Sequence, residues 1–123
     1  MSNSDEYLAV FALLDEPMIT IDRAMIRAVG GINEALFVQT MMRSGRQEEG
    51  GWLCLTSDEI TERTTLTEKQ QLTTRRNLMR MGVLEEQRIG LPARMHYKID
   101  RDVVQDLLAR DKERRMTELT DDR

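Results

Sequence analysis

Residues 52–100 constrain this chain more than any other stretch, because their punctuation fixes the length of each successive element. Trp52-Leu53-Cys54-Leu55 is a short apolar run that reads as a strand. Thr56-Ser57-Asp58-Glu59 follows with an N-cap and acidic first turn. Side-chain oxygens there satisfy free backbone N–H groups, and carboxylates oppose the positive end of the helix dipole. A short helix is expected from there through Ile60 to about Arg63, with Thr64-Thr65-Leu66 as a turn. Thr67 and Gln70, three residues apart, fit a reciprocal capping box that opens a second helix. That helix should run to Met81, where Gly82 can take the left-handed conformation that stops helices. Residues 83–89, then Gly90-Leu91-Pro92-Ala93, then residues 94–99 read as strand, turn and strand.

Helix, tight turn, helix and hairpin is the order of a winged helix-turn-helix, an architecture that mainly binds nucleic acid. The expected fold class is α+β. It is a mostly helical winged helix-turn-helix with a small three-stranded antiparallel sheet and flanking N- and C-terminal helices. Stepping the second helix at 100° per residue places Gln71, Thr74, Leu78 and Met81 on one face, which must meet the core. Lys69, Thr73, Arg76 and Arg80 fall opposite, with Gln70 and Asn77 beside them. Arg, Lys, Gln, Asn and Thr donate to phosphates and reach base edges, so this face is a candidate DNA surface. A solvated polar face is the plainer reading of such a stripe. Its place between a turn and a wing favours DNA.

In the second wing strand, Met95, Tyr97 and Ile99 alternate with Arg94, His96 and Lys98, giving one apolar and one basic face. Arg88 and Arg94 flank the turn on opposing strands. A basic hairpin tip suits phosphate or minor-groove contact, and it equally suits an edge kept soluble by charge. His96, on the basic face, is expected to be an exposed polar residue.

The net charge of −4 is not that of a generic basic DNA binder, so its distribution matters. Residues 1–22 carry five acids and no base, whereas residues 62–98 carry eight bases against four acids. Phosphate attraction acts within a Debye length of about 8–10 Å, so a local excess can act despite the global sign. One cysteine, Cys54, excludes an intramolecular disulfide, and with a single histidine it leaves no Cys/His zinc set. A buried thiol in a reducing cytoplasm is expected. No apolar run approaches the ~20 residues that span a bilayer, and the acidic start, Met1-Ser2-Asn3-Ser4-Asp5-Glu6, is unlike a signal peptide.

Residues 7–14 (YLAVFALL) form an apolar run that fits a helix or a buried strand, with a helix ending before Glu16-Pro17 preferred. Met18-Ile19-Thr20-Ile21 alternates like a short strand. Asp22 should cap a helix with Met25, Ile26 and Val29 inward, closed by Gly30-Gly31. Asn33 should cap the next, with Leu36, Phe37, Thr40 and Met41 inward and Ser44-Gly45 at its end. A polar loop, Arg46-Gln47-Glu48-Glu49-Gly50-Gly51, leads into the first strand. Asp100 should cap a last helix with Val103, Val104, Leu107 and Leu108 as its apolar stripe; the charged continuation fits either an extension of that helix or a frayed tail. Three segments result: residues 1–18 as an apolar packing or dimerisation segment, 19–100 as the winged domain, and 101–123 as a helix with a charged tail.

Several short motifs fall in one order: Asn33-Glu34-Ala35, Gln39, Trp52, Leu66-Thr67-x-x-Gln70-Gln71, Asn77-Leu78-x-x-Met81-Gly82-Val83-Leu84, Gly90-Leu91-Pro92-Ala93 and Tyr97-x-Ile99-Asp100. Over about residues 19–100 the chain resembles the winged-helix N-terminal domains of phage and plasmid replication proteins, the DnaD-like replisome organisers. More distantly it resembles MarR-like regulators. The resemblance implies a module that binds origin DNA and self-associates; nothing in residues 1–123 resembles the second, helicase-loading domain of that family.

The function expected is duplex DNA binding through Lys69, Gln70, Thr73, Arg76, Asn77 and Arg80 of the second helix and Arg88, Arg94 and Lys98 of the wing. It would serve replication initiation or transcription control, as a cytoplasmic homodimer. The alternative is a winged-helix protein-interaction module, an accessory, inhibitor or DNA mimic, that binds no DNA. No glycine-rich phosphate loop, nucleophile triad or metal-ligand set occurs in the sequence. No enzymatic activity, catalytic residue, metal or cofactor is expected.

Overall fold

The computed structural model describes residues 3–44 and 47–121. Their order is α1 (Asn3–Phe11), α2 (Arg23–Val29), α3 (Ile32–Arg43), β1 (Leu53–Cys54), α4 (Ser57–Thr64), α5 (Glu68–Arg80), β2 (Leu84–Ile89), β3 (Arg94–Ile99) and α6 (Arg101–Asp121), with a 3-10 turn at Glu49–Gly51. The three strands form one antiparallel sheet in the order β1-β3-β2. This is the winged helix-turn-helix, with flanking helices at both ends.

Local chemistry sets the two helix starts of the central motif. Thr56 accepts from the Glu59 N–H at 3.1 Å while the Glu59 carboxylate accepts from the Thr56 N–H at 3.3 Å. Thr67 and Gln70 repeat the arrangement at 3.2 and 2.9 Å. Each box satisfies N–H groups that a helix terminus leaves free. Between them Thr65 ends α4 in the left-handed region (φ 65°). The turn is then fastened by one side chain, Gln71, which is 2% exposed. Its amide nitrogen donates to the Ser57 carbonyl (3.1 Å), the Thr61 hydroxyl (2.9 Å) and the Leu66 carbonyl (3.0 Å), and its oxygen accepts from the Ser57 hydroxyl (3.2 Å). A buried amide with this many partners holds α4 and α5 in one geometry.

The core lies between α3 and its neighbours α2, α4, α5 and β3. Residues 35–39 of α3 are all buried, so this helix is enclosed on more than one side rather than along a single stripe. Phe37 meets Tyr97 of β3 edge to face, with ring centroids 6.0 Å apart. Val29, Leu36, Leu55, Ile60, Leu66, Leu78 and Leu84 join them, and Ile26, Met81 and Ile99 pack partly buried against them.

Several expectations are corrected. Residues 15–22 form no strand, and Met18 is 90% exposed. Without a neighbouring strand, an alternating segment has nothing to pair with. Asn33 lies inside α3, whose N-cap position is Gly31. Asp22 does precede α2, but its carboxylate accepts from the Gln39 amide at 2.8 Å instead of capping the helix. The apolar stripe of α6 is not left over for a partner. Val104 is buried in the shared core, with Val103, Leu107 and Leu108 packed against it. The charged continuation does not fray before Asp121.

The junction of α2 and α6 is fixed by Asp111, 1% exposed. It accepts from Arg27 Nε at 3.0 Å, from Arg115 Nε at 2.9 Å and from Arg114 at 3.0 Å. The Arg27 guanidinium, ahead of the opposing effect of burial, holds this carboxyl down to a pKa of about 2.

Candidate nucleic-acid interface

α5 presents two faces set by its 3.6-residue period. Gln71, Thr74 and Leu78 are buried, which fixes the rotation of the helix. Lys69, Thr73, Arg76 and Arg80 consequently lie exposed along the opposite side, as their spacing requires. The Thr73 hydroxyl donates to the Lys69 carbonyl at 3.2 Å, leaving its methyl group and oxygen lone pairs outward. Gln70 is exposed too, although its amide oxygen is engaged in the capping box. Two apolar side chains that the polar pattern did not single out share this surface: Leu72 (40% exposed) and Met79 (38%). Their 100° positions beside Lys69 and Arg76 carry the signal in the sequence.

Asn77 departs from the expected set. It is half-buried, and its amide donates to the Glu34 carboxylate of α3 at 3.4 Å. It lay at the margin of the outward face, where a small rotation decides between solvent and the neighbouring helix.

The wing is a six-residue antiparallel pairing in which Leu84 faces Ile99 and Ile89 faces Arg94. Directly paired residues share a face. Arg88 pairs with Met95, and Arg94 with Ile89, so the two arginines project from opposite faces of the hairpin. Both are exposed. Lys98 sits at the far end from the tip, half-buried, with its ammonium 5.8 Å from the centroid of the Trp52 ring. It covers the indole more than it extends the tip.

His96 overturns its expectation. It shares the Arg94 and Lys98 face, as alternation requires, yet it is buried (6% exposed). The segment before β1 folds over that face: Gln47 bridges to Leu53, and the Glu48 carboxylate lies 3.2 Å from His96 Nε2. The other ring nitrogen lies 2.9 Å from the Arg94 carbonyl. Cys54, cross-strand from His96, is half-buried.

Arg75 links α5 to the wing. Its Nη1 donates to the Tyr97 hydroxyl at 3.0 Å and lies 3.1 Å from the Glu86 carboxylate. Burial pushes the Tyr97 phenol up, against the lowering effect of Arg75. This arginine therefore belongs to the framework, and the exposed cations of the motif are Lys69, Arg76, Arg80, Arg88 and Arg94. Between the start of α5 and the wing runs an open groove of about 1030 Å³, bordered by Lys69, Leu72, Arg75, Arg94 and Met95.

No model of a known protein family matches the chain, and no curated protein sequence matches it. Among solved structures it is similar to a protein described as a "possible transcriptional regulator" from Methanosarcina mazei Go1. The TM-score is 0.51 at 15% sequence identity, over 80% of this chain and 84% of that one. The likeness is one of fold. No helix of the described residues is long and apolar enough to cross a membrane.

Proposed function

We propose that the protein binds duplex DNA through the outer face of α5 and the wing tip, as a homodimer, and controls transcription. One observation carries this reading. Lys69, Thr73, Arg76 and Arg80 lie exposed on one face of a helix whose rotation is fixed from behind by Gln71 and Leu78. A fixed helix with a row of donors is suited to a major groove, where base edges present distinct donor and acceptor patterns. Arg88 and Arg94 supply phosphate contacts, Gln70 reaches the same surface through its amide nitrogen, and Asn77 and Lys98 stand behind the contact. The description of the Methanosarcina protein supports transcription control over replication initiation. The reading is of a binding protein without catalytic activity or cofactor, working in the cytoplasm.

Gel-shift titration of the full chain with duplex DNA, at two salt concentrations, tests the proposal. Binding that falls with salt and is weakened by Arg76→Ala supports it. Parent protein that shifts no duplex even at low salt overturns it.

A further inference from the structure

We propose that the outer face of α5 reads guanine edges and thymine methyl groups in the major groove and leaves adenine unread. This rests on the duplex-DNA reading and names the bases that such binding would prefer.

The sequence of α5 holds two amides, Gln70 and Asn77, of the kind that pair with adenine. Such pairing needs the amide oxygen to accept from the adenine amino group while the amide nitrogen donates to N7 of the ring. Neither amide is placed to do both. The Gln70 oxygen accepts from the Thr67 N–H at 2.9 Å inside the capping box, which turns it back onto the start of the helix. The Asn77 nitrogen donates to the Glu34 carboxylate at 3.4 Å, and the residue is half-buried against α3. Each amide keeps only half of the pair that adenine requires.

The other groups of this face are of two kinds. Lys69, Arg76 and Arg80 are exposed and can only donate. In the major groove guanine presents two acceptors side by side, O6 and N7, and a guanidinium fork meets both at once. The second kind is apolar. Leu72 is 40% exposed and belongs neither to the core nor to the side chains packed against it. Thr73, next to it, commits its hydroxyl hydrogen to the Lys69 carbonyl at 3.2 Å, so it has a methyl group but no donor for a base. The methyl group that DNA displays in the major groove is that of thymine.

Cytosine would need an acceptor for its amino group. The one carboxylate of α5, Glu68, stands 100° round from Lys69 on the wing side, where it borders the groove, off the row of cations. Leu72 and Arg76 are four residues apart and adjacent on the helix surface, so the thymine and the guanine they meet should lie about one or two base steps apart.

The test selects duplexes from a randomised pool with the full chain, then changes single atoms of the selected site. Uracil in place of thymine deletes only the methyl group, and the 7-deaza forms of guanine and adenine delete only the N7 acceptor. Gel shifts should show binding about fourfold weaker at one thymine, as loss of one buried methyl-sized group gives. Binding should be roughly tenfold weaker at a nearby guanine, as loss of a hydrogen bond to a charged donor gives. 7-Deazaadenine should leave binding unchanged. Leu72→Ala should bind the thymine and uracil duplexes alike, and Arg76→Ala the guanine and 7-deazaguanine duplexes alike. The base changes probe the parent itself, so they hold even if a variant melts early. Uracil bound as tightly as thymine at every position overturns the methyl reading. A 7-deazaadenine that weakens binding as 7-deazaguanine does overturns the exclusion of adenine and would mean that Gln70 leaves its box. A pool bound with no sequence enriched overturns the reading of bases while duplex binding stands, whereas a pool not bound at all overturns duplex binding itself.

Discussion

Arg75 of α5 and Glu86 of β2 lie 3.1 Å apart, nitrogen to oxygen, each side chain only 17% exposed. The pair ties the helix that would enter a groove to the hairpin that would flank it. Arg75 Nε and Glu86 Oε1 are buried without a hydrogen-bond partner among the described residues, so charge proximity more than bond alignment holds the contact. Replacing Glu86 by Ala leaves a largely buried guanidinium without its counter-charge and should cost on the order of 2 kcal/mol of stability. Chemical denaturation of parent and variant measures this. An unchanged midpoint would show that solvent already screens the pair.

Arg76→Ala should weaken binding to a preferred duplex by about 1–3 kcal/mol and relax the preference at one base position, as loss of a base-edge contact does. Arg94→Ala should instead weaken binding without changing the preference at that base position, and make the salt dependence shallower by roughly one unit, as loss of a phosphate contact does. Titrations against one duplex and a scrambled one, at two salt concentrations, separate the two effects.

Leu78 is fully buried at the centre of the inward face of α5. Leu78→Ala should destabilise the fold by about 2–5 kcal/mol through lost burial and the cavity left behind. A thermal melt reads it directly.

Gln71→Leu is near in size but removes an amide with four hydrogen-bond partners. The Ser57 hydroxyl then loses its acceptor and the Leu66 carbonyl is left to the Thr61 hydroxyl at 2.8 Å, at a cost of about 1–3 kcal/mol. Hydrogen exchange in the turn between α4 and α5 should rise even where the rest of the core remains protected.

Asp111 gives a pH signature. Its folded pKa, about 2, lies below the ordinary 3.8. The charged form is thus favoured in the folded state, and its contribution is complete above about pH 4 and lost as pH falls through about 2. Acid unfolding of the parent should therefore include a stability loss in that window that Asp111→Asn lacks, the variant being less stable throughout the neutral range.

What was legible in the sequence was what depends on neighbours a few residues away. Both helix starts of the motif rest on Thr56, Thr67 and Gln70, whose partners sit three residues along the chain, and the rotation of α5 follows from the spacing of Gln71, Thr74 and Leu78. What was not legible depends on distant segments. His96 takes the side of the strand that alternation gives it, but Glu48 and the segment before β1 cover that side. Asn77 turns to Glu34, forty-three residues away. Arg75 adds to any tally of positive charge, yet Glu86 neutralises it inside the fold. The enclosure of α3 by four neighbours likewise leaves no trace in its own period.

The opposed directions of Arg88 and Arg94 have a consequence for how the hairpin could meet a duplex. A wing with both cations on one side would lie flat along a single phosphate strand. This one carries a positive charge on each flank, like a wedge with two gripping sides. Inserted edge-on between two sugar-phosphate walls, it would touch both strands at once, so that the width of the gap becomes a quantity the protein can sense. A narrow minor groove, such as stiff A-tract DNA provides, would let both arginines reach, whereas a wide one would leave one of them in water. Sequences the wing never touches chemically could then be distinguished by shape alone.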